Sequence, residues 1–344
     1  MDQDFKTDQG LPRSACFHRG ARISKRRFNL IFMTTPFRVA LFGECMLELQ
    51  GQAFGAMVQG FGGDTLNTAV YLARCGGSKF SVRYATALGE DTFSAGMMER
   101  WAAEGIALDL VQCLPGHLPG LYMIELDDDG ERRFSYWRES AAAKAYFDPE
   151  LTELEARADE WDALYLSGIS LAILPPAGRE RLFALMAKLR VRGAQVIFDN
   201  NYRPRLWPDV AVARSVFARA FAHASTALVT ADDHQLLYGL PTLEVAVQVA
   251  KELSSPELLI KRGAMPTLLR EAGSNKWQEA ATEPVARVVD TTAAGDSFAA
   301  GYLSRRLAGA PAVDAARFGN RLAARVIQHR GALIPREQMH DLMS

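Results

Sequence analysis

Cysteine is scarce in this sequence. Only Cys16, Cys45, Cys75 and Cys113 occur in 344 residues, with no Cys-x-x-Cys pair and no Cys/His cluster. That scatter argues against structural zinc and a disulfide framework, and it fits a reducing cytoplasm. An excess of one charge is missing too: 39 Lys and Arg stand against 40 Asp and Glu. No basic field exists to hold nucleic acid or an anionic membrane, so any anion must be bound locally. The longest uncharged run, Ala163 to Gly178, is shorter than a bilayer requires and contains Pro175 and Pro176, so no transmembrane helix is expected. Internal repeats are absent, and so are a GxxxxGK[ST] phosphate loop, a strand-following GxGxxG and an HExxH pair.

What is present is a chain that is 49% apolar, enough for a full core. Residues 1–36 read as a disordered leader, because basic residues there mix with little periodic apolar character. Arg26-Arg27 before Phe28 invites comparison with a twin-arginine export signal. The apolar stretch that follows becomes a strand, however, and no small-residue cleavage site is evident, so a leader preceding a start at Met33 is the better reading.

Phe37 to Phe42 is a short run of β-formers ending at Gly43, which reads as a buried first strand. The glycine-rich stretch from Gly60 to Asn67 reads as a loop feeding a helix over Thr68 to Cys75. Leu121 to Glu125 and Arg132 to Arg138 read as strands of a hairpin turning at Asp127-Asp128-Asp129-Gly130. From Asp159 onward, strands at Ala163 to Leu166, Gln195 to Phe198, Ala227 to Val229 and Glu257 to Ile260 alternate with helices starting near Arg179 and Val212. The pattern implies one large α/β domain over 37–340 built on an open, mostly parallel sheet. A small β lid drawn from about 44–61 and 118–140 is expected over the carboxyl ends of its strands.

The strongest chemical signal is Asp290-Thr291-Thr292-Ala293-Ala294-Gly295-Asp296-Ser297-Phe298, followed by a helical stretch of small and apolar residues. The amides around Ala294, Gly295 and Asp296 would open that helix, where bare donors and the helix dipole favour phosphate. Asp296 cannot hold phosphate itself; beside an anion hole it suits the role of a base for an attacking hydroxyl, against the plainer alternative of an N-cap. His223, His234 and His329 have no partner at ligand spacing and read as surface or capping residues, and Trp137 and Trp207 read as packing residues.

These residues resemble the signatures of the ribokinase-like PfkB carbohydrate kinases: DTTAAGDSF the C-terminal one, and Gly62-Gly63 through Asn67 and Gly76 the N-terminal one. The resemblance spans about Phe37 to Arg336 and implies the ribokinase-like fold. It implies Asp296 as the base, Ala293, Ala294, Gly295 and Asp296 as the anion hole, and Gly62, Gly63 and Asn67 as sugar contacts. GECMLEL, GFGGDTLNTAVYLAR, GLYMIE, FDNNYRPRLW and RGALIPR resemble the 2-keto-3-deoxygluconate kinases in particular.

A sugar acid brings a carboxylate that a near-neutral protein must meet with cations at the site. Arg138 and Arg203 both follow strands and are the candidates, against the alternatives of a solvated hairpin charge and of an ion pair from Arg203 to Asp199 or Asp209. The resemblance implies that Tyr122, Tyr136 and Arg138 reach the substrate from the lid and Arg203 from the main domain. It further implies that Asn201, Lys261 and Gly263 serve ATP, and that Asp233 serves Mg²⁺. The family often has Asn-x-x-Glu where this chain has Thr230-Ala231-Asp232-Asp233, so the carboxylate is one methylene shorter, and a water-bridged role survives that change. The expected activity is ATP-dependent phosphorylation of 2-keto-3-deoxygluconate at its 6-hydroxyl by a cytoplasmic homo-oligomer, a dimer through the lid or higher. The alternatives are a kinase for another sugar such as fructose and a silent sugar-acid sensor, although binding alone needs no base at Asp296.

Starting the chain at Met33 should therefore leave activity intact and melting temperature nearly unchanged, since the removed residues precede the first core strand. An insoluble or inactive truncated protein, found by expression and assay, would show that the leader packs on the fold.

Overall fold

The structure, a computed structural model, describes residues 35–126 and 132–343. The leader up to residue 34 and the turn from Asp127 to Gly130 lie outside these residues. Strand β1 (Phe37–Phe42) is followed by β2 (Met46–Gly51), β3 (Met57–Gly62), helix α1 (Asp64–Gly76), β4 (Phe80–Leu88), α2 (Thr92–Ala103) and β5 (Val111–Cys113). Next come β6 (Leu121–Leu126), β7 (Arg132–Trp137) and the single turn α3 (Glu153–Ala156). The regular alternation then runs β8 (Ala163–Ser167), α4 (Gly168–Ile173), α5 (Pro176–Arg192), β9 (Gln195–Asp199), α6 (Val210–His223), β10 (Thr226–Thr230), α7 (Ala231–Tyr238), α8 (Leu243–Lys251) and β11 (Glu257–Arg262). Strands β12 (Met265–Arg270) and β13 (Trp277–Ala280) and helices α9 (Ala294–Arg306) and α10 (Ala312–Val326) complete it.

Nine strands form the main sheet in the order β13-β12-β11-β10-β9-β8-β1-β4-β5. Pairing is parallel except at β11-β12 and β12-β13, an antiparallel edge that the sequence pattern did not foretell. Alternate side chains of the buried strands feed two cores. Val39, Leu41, Ala163 and Tyr165 join the core that includes residues of α1, α9 and α10, while Ala40, Phe42, Leu164 and Leu166 join the one that includes residues of α5 and α6. Helices α9 and α10 cross closely: a Cβ on Gly301 would lie 2.9 Å from the Gly319 Cα, so the crossing requires glycine. The strand order reverses at β1, whose neighbours are β8 and β4, and a ligand crevice is expected at such a switch point.

The small sheet has the order β3-β2-β6-β7 and matches the expected lid, with β6 and β7 antiparallel. One boundary differs. Gly60, Phe61 and Gly62 are the end of β3 rather than loop, and the helix begins at Asp64 instead of Thr68, because register with β2, Met46 opposite Gly62, overrides the poor strand propensity of glycine. Trp137 also differs from its packing role: it is 58% exposed on the lid, whereas Trp207 is buried against Phe217 as expected.

His234 is neither a surface nor a capping residue. It is fully buried on α7, on the same face as Ala231 and Leu237, with its ring 4.7 Å from that of Tyr238. Neither ring nitrogen has a hydrogen-bond partner among the described residues, and burial pulls its pKa from 6.5 down to about 4. The unfolded chain therefore takes up a proton that the folded chain resists. Stability is full above the unfolded value and declines as pH falls from about 6.5 toward 4, by up to about 3 kcal/mol. In His234→Leu, the melting temperature should fall less between pH 7 and pH 5 than in the parent. An equal fall in thermal unfolding would remove His234 from that role.

Candidate active site

The carboxyl ends of β1, β8, β9, β10 and β11 point toward the lid, and a cavity of about 520 Å³ opens between them. It is lined from the lid by Met46, Gly62, Tyr122, Phe134 and Tyr136, and from the main sheet by Asp64, Asn67, Asp199, Asn201, Arg203, Asp233, Lys261 and residues 291–296. Gly62 and Gly63 are there for close approach: a Cβ would lie 2.3 Å from the Tyr122 hydroxyl and 2.2 Å from the Glu44 carbonyl oxygen, respectively.

Helix α9 supplies the anion site. Ala293, its N-cap, takes a left-handed conformation at φ 61°, unusual for a residue with a Cβ and characteristic of strained turns at functional positions. The Ala294 amide is used within this turn, donating to the Thr291 carbonyl at 3.1 Å. The Gly295 and Asp296 amides have no carbonyl partner among the described residues and lie at the positive end of the helix. Lys261 completes the site, because its Nζ lies 3.4 Å from the place a Cβ on Gly295 would occupy. Asp290 fixes the approach to the turn. One of its oxygens accepts from the Thr292 amide at 3.0 Å and from its hydroxyl at 2.7 Å, and the other accepts from the Gly331 amide at 2.7 Å.

Asp296 is not an N-cap. It is the third residue of α9, and its carboxylate accepts from Asn67 Nδ2 at 2.9 Å. It opens onto the cavity yet is well shielded from bulk water, and its pKa is pushed up to about 7, first by burial and then by the negative charge of Asp64. The Asn67 bond and the charge of Lys261 oppose that rise. Lys261 donates to Asp199 at 2.8 Å, and Asn201 donates through Nδ2 to Asp64 at 2.6 Å. The Oδ1 atoms of Asn67 and Asn201 are buried without a hydrogen-bond partner among the described residues, leaving two acceptors available for hydroxyls.

The arginines differ in setting. Arg203 lines the cavity, half-exposed, and pairs with Asp233 at 3.1 Å instead of Asp199 or Asp209; Asp209 caps α6. Arg138 is outside the cavity wall and pairs with the buried Glu44 at the end of β1, so it connects the lid to the main sheet. Tyr122 and Tyr136 stack with Phe134 along the lid, and the Tyr122 hydroxyl donates to Glu48.

A second cavity of about 590 Å³ adjoins the first and holds Gly263, at φ 60°, with Val285, Val288, Phe298, Ala323, Ala324 and Ile327. Its wall is mostly apolar, and it shares Thr230, Lys261, Thr291, Ala294 and Gly295 with the first. Asp233 faces the first cavity only, and burial raises its pKa against the opposing charge of Arg203. Two contributors had no assigned role in the sequence reading, Asp64 and Asp290, and Asp199 was named there only as an alternative partner of Arg203 rather than of Lys261. Each falls inside or beside a recognised motif, but a carboxylate at a helix start or a strand end carries no mark of its partner in space.

A model of the pfkB family carbohydrate kinases matches residues 37–339. The chain is 46% identical over 308 residues to the 2-dehydro-3-deoxygluconokinase of Escherichia coli strain K12, covering 88% of this chain and 98% of that protein. It is 39% identical over 309 residues to the protein of the same name from Haemophilus influenzae, covering 89% of this chain and 98% of that one. Among solved structures, the PfkB protein from Polaromonas superposes with a TM-score of 0.73 at 27% identity, over 85% of this chain and 96% of that one. The chain belongs to the pfkB family of carbohydrate kinases.

Proposed function

We propose that the protein transfers the γ-phosphoryl group of ATP to the 6-hydroxyl of 2-keto-3-deoxygluconate, giving the 6-phosphate and ADP. The observation that carries this reading is that a polar cavity and an apolar one meet at Ala294 and Gly295, with Asp296 lining the polar cavity only. ATP in the apolar cavity would bring its γ-phosphate to the shared rim, in line with a hydroxyl beside Asp296.

Asp296 takes the hydroxyl proton as the new O–P bond forms, and the bond from the γ-phosphorus to the bridging oxygen breaks to release ADP. Its pKa of about 7 gives an acceptor that is both ionised and basic near neutral pH. Asn67 keeps the carboxylate aimed at the sugar side, while the Gly295 and Asp296 amides and Lys261 meet the charge on the transferred group. Gly263 lets the nucleotide approach the backbone, whereas Asn201, expected from the resemblance to serve ATP, lines the sugar-side cavity alone and donates to Asp64.

Mg²⁺ would be held by Asp233 together with the triphosphate. No group of three or more His, Cys, Asp or Glu among the described residues could hold a metal ion alone, and a single carboxylate suits an ion that keeps several waters. The ion supplies neutralisation of phosphate charge when bound. Arg203 meets the substrate carboxylate from the cavity wall, and Arg138, held by Glu44, supports the lid from beneath. The exposed Trp137, next to Tyr136 on β7 and absent from the cavity wall, supports association of two copies through the lid. No helix among the described residues is long and apolar enough to cross a membrane, and a cytoplasmic location accords with the cysteine usage.

Asp296→Asn keeps the size and the Asn67 contact but removes the proton acceptor, so turnover should drop by roughly 10² or more while substrate still binds. Near-normal turnover in a coupled assay would take the base role from Asp296. Arg203→Ala should weaken kcat/KM for 2-keto-3-deoxygluconate by about 1.5 to 3 kcal/mol, the range for hydrogen bonds to charged groups, and Arg203→Lys should restore part of it. Fructose, which has no carboxylate, should lose little in either variant. Equal losses on both substrates would show that Arg203 serves the fold or the nucleotide.

A further inference from the structure

Asp64 has no role in the mechanism above, yet it shares the floor of the sugar cavity with the base. It is the first residue of α1, follows an N-cap glycine that makes no side-chain cap, and opens onto the same space as Asp296. The first turn of α1 joins the two acids mechanically. Asn67 donates to the Asp296 carboxylate at 2.9 Å, and the Thr68 hydroxyl lies 3.0 Å from the Asp64 carbonyl oxygen and 3.3 Å from that of Asp296. Each carboxylate has its own amide donor, Asn201 for Asp64 and Asn67 for Asp296, and Asp64 also bonds the Ser167 side chain and the Thr65 backbone. Among the described residues neither forms an ion pair, and the ammonium of Lys261 is engaged by Asp199 at 2.8 Å.

We infer that Asp64 is a positioning residue for the reaction, and that its negative charge sets how strongly the Asp296 carboxylate holds the proton it takes from the sugar hydroxyl. The inference rests on the reading of Asp296 as the base. Two carboxylates in one desolvated space ionise in sequence, the second with difficulty, because the repulsion is poorly screened. An ordinary carboxylate is a feeble base toward an alcohol, and a more basic one transfers the proton more readily. The other charged and titratable groups facing the pair include Asp199 from β9, Lys261 from β11 and Glu44 after β1, with Tyr71 of α1, Tyr84 of β4 and Tyr165 of β8, and across the cavity the Arg203–Asp233 pair and the lid residues Tyr122 and Tyr136. Lys261 favours ionisation of Asp296, Asp199 opposes it, and the tyrosines remain neutral because burial raises their pKa values. After burial itself, Asp64 is the largest influence on Asp296, and burial raises the pKa of Asp64 as well. A purely structural Asp64 would serve only the α1 dipole and the Asn201 contact.

Asp64→Asn preserves shape and, with its amide oxygen turned toward Asn201, preserves that contact, while its amide nitrogen can donate to the Ser167 hydroxyl and the Thr65 backbone bond is given up. With the neighbouring charge gone, Asp296 ionises more easily, so the acid limb of the kcat/KM profile should move to lower pH by about one unit. KM for ATP should hold steady. An acid limb that stays in place, with only Tm or kcat reduced, would overturn the inference and leave Asp64 a structural residue. Should Asp64→Asn fold poorly, carboxyl ¹³C NMR of Asp296→Asn decides the matter from the other side. Asp64, freed of its neighbour, should titrate at lower pH than in the parent, and an unchanged midpoint would overturn the coupling. Failure of the base reading is seen separately, as near-normal turnover of Asp296→Asn.

Discussion

The hydrogen bond from Asn67 to Asp296, at 2.9 Å, joins the first turn of α1 to the first turn of α9. The site depends on it. A helix N-terminus with bare amides attracts anions indiscriminately, and an acid placed there would be drawn toward those amides and block them. The Asn67 amide holds the carboxylate away from them, which in the proposed reading leaves room for phosphate beside the base. The same turn of α1 carries Asp64, and the same turn of α9 carries Gly295; one interaction thus aligns the Asp296 carboxylate, the neighbouring Asp64 and the start of α9.

Around that alignment the fold divides labour between two cavities. The polar one lies between the lid and the strand ends, and its wall includes Asp64, Asn67, Asn201 and Arg203. The apolar one lies against α9 and α10 and holds little charge beyond Lys261 and Glu283. A sugar acid needs many directed hydrogen bonds, whereas an adenine needs a flat apolar slot, and the difference in lining is what supports the proposed occupant of each. The polar cavity concentrates carboxylates, Asp64, Asp199, Asp233 and Asp296, in one space. That arrangement is tolerable because Asp199 is paired with Lys261, Asp233 with Arg203 and Glu44 with Arg138.

Much of this was legible in the chain. The first strand and the later βα alternation were evident from runs of β-formers and helical spacing, since parallel strands buried on both faces must be almost wholly apolar. The DTTAAGDSF run marked the start of α9 and its bare amides, because small residues before a helix leave donors uncovered. Less legible were β3, whose glycines argue for loop until β2 pairs with it, and the antiparallel edge of β12 and β13. His234 gave no warning of its burial, because a lone histidine on a helix reads the same whether it faces water or Phe221 and Tyr238.

The sequence by itself determined the fold class, because that rests on local periodicity and on the alternation of strands with helices. Only the tertiary structure decided which charges meet. Asp64 and Asp296 stand more than two hundred positions apart, and Arg203 finds Asp233 rather than either acid nearer to it in the chain. Pairings of that kind depend on how strand ends converge at the switch point, and a long-range contact between charged side chains leaves no periodic trace along the chain.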